Sequence, residues 1–247
     1  MSSDFLIVIP ARLGSTRLPE KPLRLLCGRP LIEWVYRAVS AFCANVLVAT
    51  DSKRVAQVVR RVGGEAVLTP SDLPSGTDRV AEAVRISGSD FKYIVNVQGD
   101  EPFVKAEHVL PVVERLRAGD RFATVAVPFS SFEEINKPSN VKIVRDREGY
   151  GVYFSRSPIP YDRDGNLLPK DYLKHVGIYG FRKDALFDFV SWDEGFLEKA
   201  ERLEQLRILE HGDRIYVCTV EHYGMGVDTE EDLLKAEKLL KEKFNGC

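Results

Sequence analysis

The 247-residue chain predicts an α/β protein with a mostly parallel central sheet and a mixed-sheet extension. Three observations lead there. Short, continuous apolar runs alternate with amphipathic stretches through the first hundred residues, the pattern of strands buried on both faces and joined by helices. The middle of the chain replaces most of those helices with turns. The end returns to helix, strand and helix. A composition of 44% hydrophobic and 29% charged residues is that of an ordinary globular protein, and the length suffices for a sizeable core. The net charge of −2 argues against a general nucleic-acid binder. No apolar run approaches the ~18 residues of a membrane span, so no membrane insertion is expected. The start, Met1-Ser2-Ser3-Asp4, lacks the basic region and long apolar run of a signal peptide. Cys27, Cys43, Cys218 and Cys247 include no C-x-x-C pair and are expected to be free thiols, so a cytoplasmic protein is expected.

Taken in order, Phe5-Leu6-Ile7-Val8-Ile9 is the first strand, and Pro30 to Phe42 is helical with Leu31, Trp34, Val35, Ala38 and Val39 on one face. Val46 to Ala49 is the second strand, and Asp51-Ser52 is placed to cap the following helix, which carries Val55, Val58 and Val59. Ala66 to Leu68, a helix from about Thr77, and the strand Tyr93 to Val97 complete the alternation. That order implies right-handed crossovers and a parallel sheet, with ligands beyond the carboxyl ends of its strands. Ala123 to Phe129, Val141 to Arg145, Gly151 to Phe154 and His175 to Phe181 read as strands of the mixed extension, roughly residues 123–182. Ser155 to Tyr172, rich in Pro, Asp and Arg, is expected to be a long functional loop. Glu198 to Glu210 reads as helix, Ile215 to Val220 as strand, and a last helix begins at Thr229. With no repeat or low-complexity linker, residues 1–247 are expected to form a single domain with a subdomain.

Four groups could carry chemistry. After the first strand, Pro10 to Pro22 gathers Arg12, Arg17 and Lys21 with small residues, a composition suited to phosphate oxygens. It is neither a Walker A loop nor a dinucleotide fingerprint, and a solvated basic loop is the plain alternative. Gln98-Gly99-Asp100-Glu101-Pro102 closes the fourth strand; Asp100 could help hold Mg²⁺, or the segment could simply be a turn. In Gly226-Val227-Asp228-Thr229, Asp228 could supply a second carboxylate, or Asp228 or Thr229 could cap the last helix. Ser75-Gly76-Thr77-Asp78-Arg79 is an N-cap that could also meet a base or a phosphate. The four histidines lie at no zinc-ligand spacing, and no G-x-S-x-G elbow occurs.

Ile9-Pro10-Ala11-Arg12 with Ser15-Thr16-Arg17-Leu18-Pro19 and Lys21-Pro22 resembles the nucleotide loop of the bacterial 3-deoxy-manno-octulosonate (KDO) cytidylyltransferases. Ala49-Thr50-Asp51, Ser75 to Arg79, Asn96 to Pro102, Tyr153 to Arg156, His175 to Gly180, Leu203 to Arg207 and Gly226 to Asp228 match the same family in order, across essentially the whole chain. Glu20 departs from it, standing where the family usually has Gly. The resemblance implies a Rossmann-like nucleotidyltransferase that couples CTP and KDO to CMP-KDO and pyrophosphate with Mg²⁺, as a homodimer built on the mixed-sheet region. It implies Arg12, Arg17 and Lys21 as triphosphate contacts, Ala11, Ser75 and Gly76 near the cytosine, and Gln98 near nucleotide and sugar. It further implies Asp100 and Asp228 as metal carboxylates, Arg156 on the KDO carboxylate, and His175, Tyr179, Glu204 and Gln205 on the sugar hydroxyls. Arg12, Lys21, Asp100 and Asp228 would then be the catalytic set. The alternatives weighed are a cytidylyltransferase for a related ulosonic acid, a similar-fold glycosyltransferase and a non-catalytic nucleotide sensor.

Overall fold

A computed structural model describes residues 4–15, 17–88 and 90–244; Thr16 of the basic loop and Cys247 lie outside them. The chain folds as two compact units, one built from the residues up to Ala106 together with those from Gly224 onward, the other from Glu107–Tyr223.

The first unit contains β1 (Phe5–Pro10), a small hairpin of β2 (Leu25–Leu26) and β3 (Arg29–Pro30), α1 (Leu31–Ser40), β4 (Val46–Thr50), α2 (Lys53–Arg61), β5 (Glu65–Leu68), α3 (Gly76–Ser87) and β6 (Tyr93–Val97). Its sheet is parallel throughout: β6 and β4 flank β1, and β5 lies outside β4. Ile7, Val8 and Ile9 are wholly buried, as a central parallel strand with covered faces requires. Ser52 takes the N-cap position of α2 but makes no side-chain capping bond. The expected Asp51-Ser52 cap is therefore corrected: the Asp51 carboxylate instead accepts from the Leu13 amide at 2.9 Å, reaching across to the basic loop.

The second unit begins with α4 (Ala106–Arg117), β7 (Phe122–Pro128), the single turn α5 (Phe132–Ile135), β8 (Lys142–Arg145), β9 (Gly151–Ser155) and β10 (Leu173–Arg182), and continues through α6 (Lys183–Ser191), α7 (Phe196–Glu201), α8 (Leu206–Glu210) and β11 (Ile215–Thr219). Here β11 is parallel to β7, while β7–β10, β10–β8 and β8–β9 are antiparallel, so this sheet is mixed as expected. The helices α4 and α6 were not among the expected elements. Pro111, inside α4, forgoes an interior N–H donor and so masks the periodic Val109, Val112, Val113 and Leu116, whose burial holds the helix in place. The continuous helix expected over 198–210 is also corrected. Arg202 adopts a left-handed conformation (φ 55°), ends α7, and leaves Glu204 outside regular helix.

Returning to the first unit, α9 (Glu230–Phe244) lays Leu233, Ala236 and Leu240 against Leu18, Leu26 and Leu31. Those three positions form one helical stripe. The C-terminal helix thus packs on the end of the basic loop.

Candidate active site

At the carboxyl ends of β1 and β6 lies a cleft of about 350 Å³, within the range of small-ligand sites. It is lined by Ala11, Arg12, Arg17, Lys21, Ser75, Gly76, Gln98, Asp100 and Asp228, every residue singled out in this unit. Ser75 caps α3, its hydroxyl accepting from the Asp78 amide at 3.1 Å, which sets the N-terminus of α3 at the cleft. The Gln98 amide is oriented by Asn96, whose Oδ1 accepts from Gln98 Nε2 at 3.2 Å. Glu20, in the basic loop, has φ 51°, a left-handed conformation that glycine adopts at least cost. Its carboxylate meets Arg54 at 2.5 and 3.1 Å, which lowers the Glu20 pKa and tethers the loop to α2.

Asp100 and Asp228, far apart in sequence, are brought together by a backbone bond from the Val227 amide to the Asp100 carbonyl (2.9 Å). The capping question resolves in favour of Thr229. Its hydroxyl accepts from the Asp232 amide at 3.2 Å, while Asp232 Oδ2 accepts from the Thr229 amide at 3.0 Å. This reciprocal box satisfies the start of α9 and leaves the Asp228 carboxylate for other partners. Those partners are cations. The Lys21 ammonium donates to both Asp100 and Asp228, to the latter at 2.8 Å, and Arg17 Nη1 lies 3.2 Å from Asp228. Burial pulls the Lys21 pKa down, but the two carboxylates outweigh it and raise it, so the ammonium stays charged. Burial raises the Asp100 pKa; Lys21 opposes that rise and the like charge of Asp228 adds to it.

The remaining singled-out residues belong to the second unit. Between Val176 and Tyr179 the register of β10 against β7 slips: Val176 faces Val125, yet Tyr179 already faces Thr124. Residues four apart on a regular strand stand about 13 Å apart. The bulge of Gly177 and Ile178 instead brings the rings of His175 and Tyr179 to 5.2 Å. Thr124 Oγ1 donates to the Ile178 carbonyl at 2.8 Å and lies 2.9 Å from His175 Nε2. Its one proton being spent, the hydroxyl must accept from Nε2–H, which leaves Nδ1 as the acceptor nitrogen of a neutral ring. Burial keeps the ring neutral, lowering its pKa to about 3. Tyr179 donates to Gln205 Oε1 at 3.1 Å, and burial, with the nearby Glu204 charge, raises the phenol's pKa well above its usual value. The buried Gln205 Nε2 has no hydrogen-bond partner among the described residues, a cost that a ligand oxygen would relieve.

Arg156 is placed differently from the simple picture of a free fork. Its guanidinium donates to the carbonyls of Glu201 (2.7 Å), Pro138 (2.9 Å) and Arg202 (3.2 Å). It thereby caps the C-terminus of α7, where a cation is favoured. Three of its five N–H donors are used there, leaving two for another acceptor. Beneath it, the fully buried Lys142 ammonium donates to the carbonyls of Lys137, Asn140 and Arg156.

Comparison with known proteins decides the family. A family model described as cytidylyltransferase matches residues 6–215. The chain belongs to the cytidylyltransferase family. A 3-deoxy-manno-octulosonate cytidylyltransferase of Rickettsia prowazekii is 45% identical over 98% of this chain and 97% of its own length. That of Vibrio vulnificus strain YJ016 is 44% identical over 97% of this chain and 99% of its own. A solved structure described as CMP:2-keto-3-deoxy-manno-octonic acid synthetase complexed with CTP superposes with a TM-score of 0.90 at 40% identity, covering 98% of this chain and all of that one. The parallel sheet of the first unit is therefore that of a nucleotidyltransferase fold. Within this cytidylyltransferase fold, sequence reasoning passed over three contributors. Gly99 has no room for a side chain, since a Cβ would lie 2.7 Å from the Pro10 carbonyl; its place in a strand-end Gln-Gly-Asp was the available signal. Gly177, a glycine inside a strand, signalled the bulge. Arg79, fully buried yet lining the cleft, stood in the Ser75–Arg79 group without a role of its own.

Proposed function

We propose that this chain transfers a cytidylyl group from CTP to the anomeric hydroxyl of KDO, giving CMP-KDO and pyrophosphate and activating the sugar for lipopolysaccharide assembly. The near full-length likeness to enzymes named for this activity supports the reading. The single geometric observation behind it is the convergence of Asp100, Asp228 and the three cations Arg12, Arg17 and Lys21 on one cleft. In-line displacement at a phosphorus needs positioning and charge stabilisation more than covalent chemistry. Arg12, Arg17 and Lys21 neutralise the triphosphate, and most strongly the charge that grows on the leaving pyrophosphate. Backbone groups at Ala11, Ser75 and Gly76 hold the cytosine, and Gln98 lies where nucleotide and sugar meet.

Asp100 and Asp228 fit a hard divalent cation, because the two carboxylates already share one positive centre, the Lys21 ammonium. Among the described residues no group of three or more His, Cys, Asp or Glu side chains could form a closed metal cage. Mg²⁺ suits such a site, with water and phosphate oxygens completing its shell. When bound, Mg²⁺ would neutralise phosphate charge and make the attacking hydroxyl more acidic. On the sugar side, Arg156 offers its two remaining donors to the KDO carboxylate. His175 Nδ1 accepts from a hydroxyl, Gln205 Nε2 donates to one, and Tyr179 and Glu204 complete the set.

The protein works as a homodimer through its second unit, where Val152 and Tyr161 are 56% and 87% exposed. No helix among the described residues is long and apolar enough to cross a membrane, and a cytoplasmic enzyme is proposed. The deciding experiment is pyrophosphate release from each of the four nucleoside triphosphates, with and without KDO and Mg²⁺. Release from CTP alone, requiring both KDO and Mg²⁺, is expected; comparable specificity constants for CTP and ATP would refute the base assignment, since hydrogen-bond mismatch costs a factor of about 10⁴ at such sites.

A further inference from the structure

We propose that Lys21 is the resident counter-ion of the Asp100–Asp228 pair, and that a divalent cation gains those carboxylates only when a triphosphate draws the ammonium away. The inference rests on the reading of Asp100 and Asp228 as the metal carboxylates.

Lys21 Nζ donates to Asp100 Oδ2 and to Asp228 Oδ1, the latter at 2.8 Å, so the ammonium occupies the position between the two carboxylates. Its side chain is only 18% exposed, which limits the escape of the charge into water. Two acidic groups brought this close would repel one another without a cation between them. The lysine therefore completes the ligand-free site. A bare metal ion would gain only two protein carboxylates and would have to break two charge-assisted hydrogen bonds to reach them. Arg17, 3.2 Å from Asp228, adds a second competing cation at the rim. A triphosphate in the same cleft reverses the balance. Its oxygens give the ammonium a new partner and supply the metal with the ligands that the protein lacks. Lys21 thus serves the carboxylates first and the phosphates afterwards, and the nucleotide-free enzyme binds metal poorly.

Water-proton relaxation enhancement by Mn²⁺, which reports protein-bound ion, tests this on the full chain. Without CTP, the wild type should bind Mn²⁺ with a dissociation constant above ~1 mM. Lys21→Met should bind it about 10- to 100-fold more tightly, the worth of a charge-assisted contact removed from the competition. Adding Asp100→Asn to that variant should abolish the gain. With CTP, the wild type should acquire a tight Mn²⁺ site that Asp100→Asn removes. Equal Mn²⁺ affinity in nucleotide-free wild type and Lys21→Met would overturn the proposal while leaving the metal assignment standing. Should Lys21→Met fail to fold, the wild type alone decides: a tight, CTP-independent Mn²⁺ site lost in Asp100→Asn refutes the counter-ion role. CTP-dependent Mn²⁺ binding indifferent to both carboxylates would remove the metal reading, and this inference with it.

Discussion

At the scale of single residues, the two carboxylates carry the heaviest demand. Asp100→Asn and Asp228→Asn should each lower turnover by several orders of magnitude while the far-ultraviolet circular dichroism stays native, because preorganised charge is the largest catalytic contribution. Near-normal turnover of either variant at saturating Mg²⁺ would refute their role. His175 makes a different prediction, in pH. Its folded pKa is about 3 against 6.5 when unfolded, so below 6.5 the unfolded chain takes up a proton that the folded chain refuses. Stability should therefore fall as pH falls from 6.5 toward 3, with this residue contributing about 1.4 kcal/mol per pH unit. Urea midpoints for His175→Gln should show a flatter acid limb than those of the wild type; parallel limbs would contradict the neutral ring. Which positions matter could be read from residue type and family likeness. That Thr124 decides which nitrogen of His175 carries the proton could not, because that bond depends on a pairing across strands.

At the scale of elements, Arg156 holds a helix end and, in the proposed function, also the sugar carboxylate. Arg156→Ala should raise the Michaelis constant for KDO by roughly 30- to 1,000-fold and leave that for CTP nearly unchanged. It should also lower the thermal midpoint, since three carbonyls around the end of α7 lose their donor. Arg156→Lys should restore little of either, for an ammonium lacks the planar fork. A rise in the CTP constant with that for KDO unchanged would move Arg156 to the triphosphate side. The basic loop offers a second test. Because Glu20 is left-handed and held by Arg54, Glu20→Gly should melt at a higher temperature than Glu20→Ala: both lose the ion pair, but only alanine keeps the strained backbone. The reverse order would show that the loop relaxes away from that conformation. Strands and the alternating helices were legible from apolar runs because their burial is local in cause. The break at Arg202 was not, since a partner from another element meets it, Arg156 on the end of α7; at the bulge Gly177 marked the place, but its partner, Thr124 on the Ile178 carbonyl, was not legible.

At the scale of the whole molecule, light scattering should report twice the 27.9 kDa chain mass at micromolar concentration, and Tyr161→Asp together with Val152→Asp should lower it if the second unit carries the contact. An unchanged mass in that variant would place the interface elsewhere. The first unit is assembled from both ends of the chain, with α9 seated on Leu18, Leu26 and Leu31 and Asp228 just ahead of it. Synthesis runs from the amino end, so the ribosome emits β1, the basic loop and Asp100 long before it emits Asp228. Between those two events the chain carries Lys21 with one of the two carboxylates that the finished cleft sets around it. Asp228 is thus among the last residues the nascent polypeptide acquires, and a stop codon between residues 101 and 227 yields a product with Lys21 and Asp100 but without the second carboxylate.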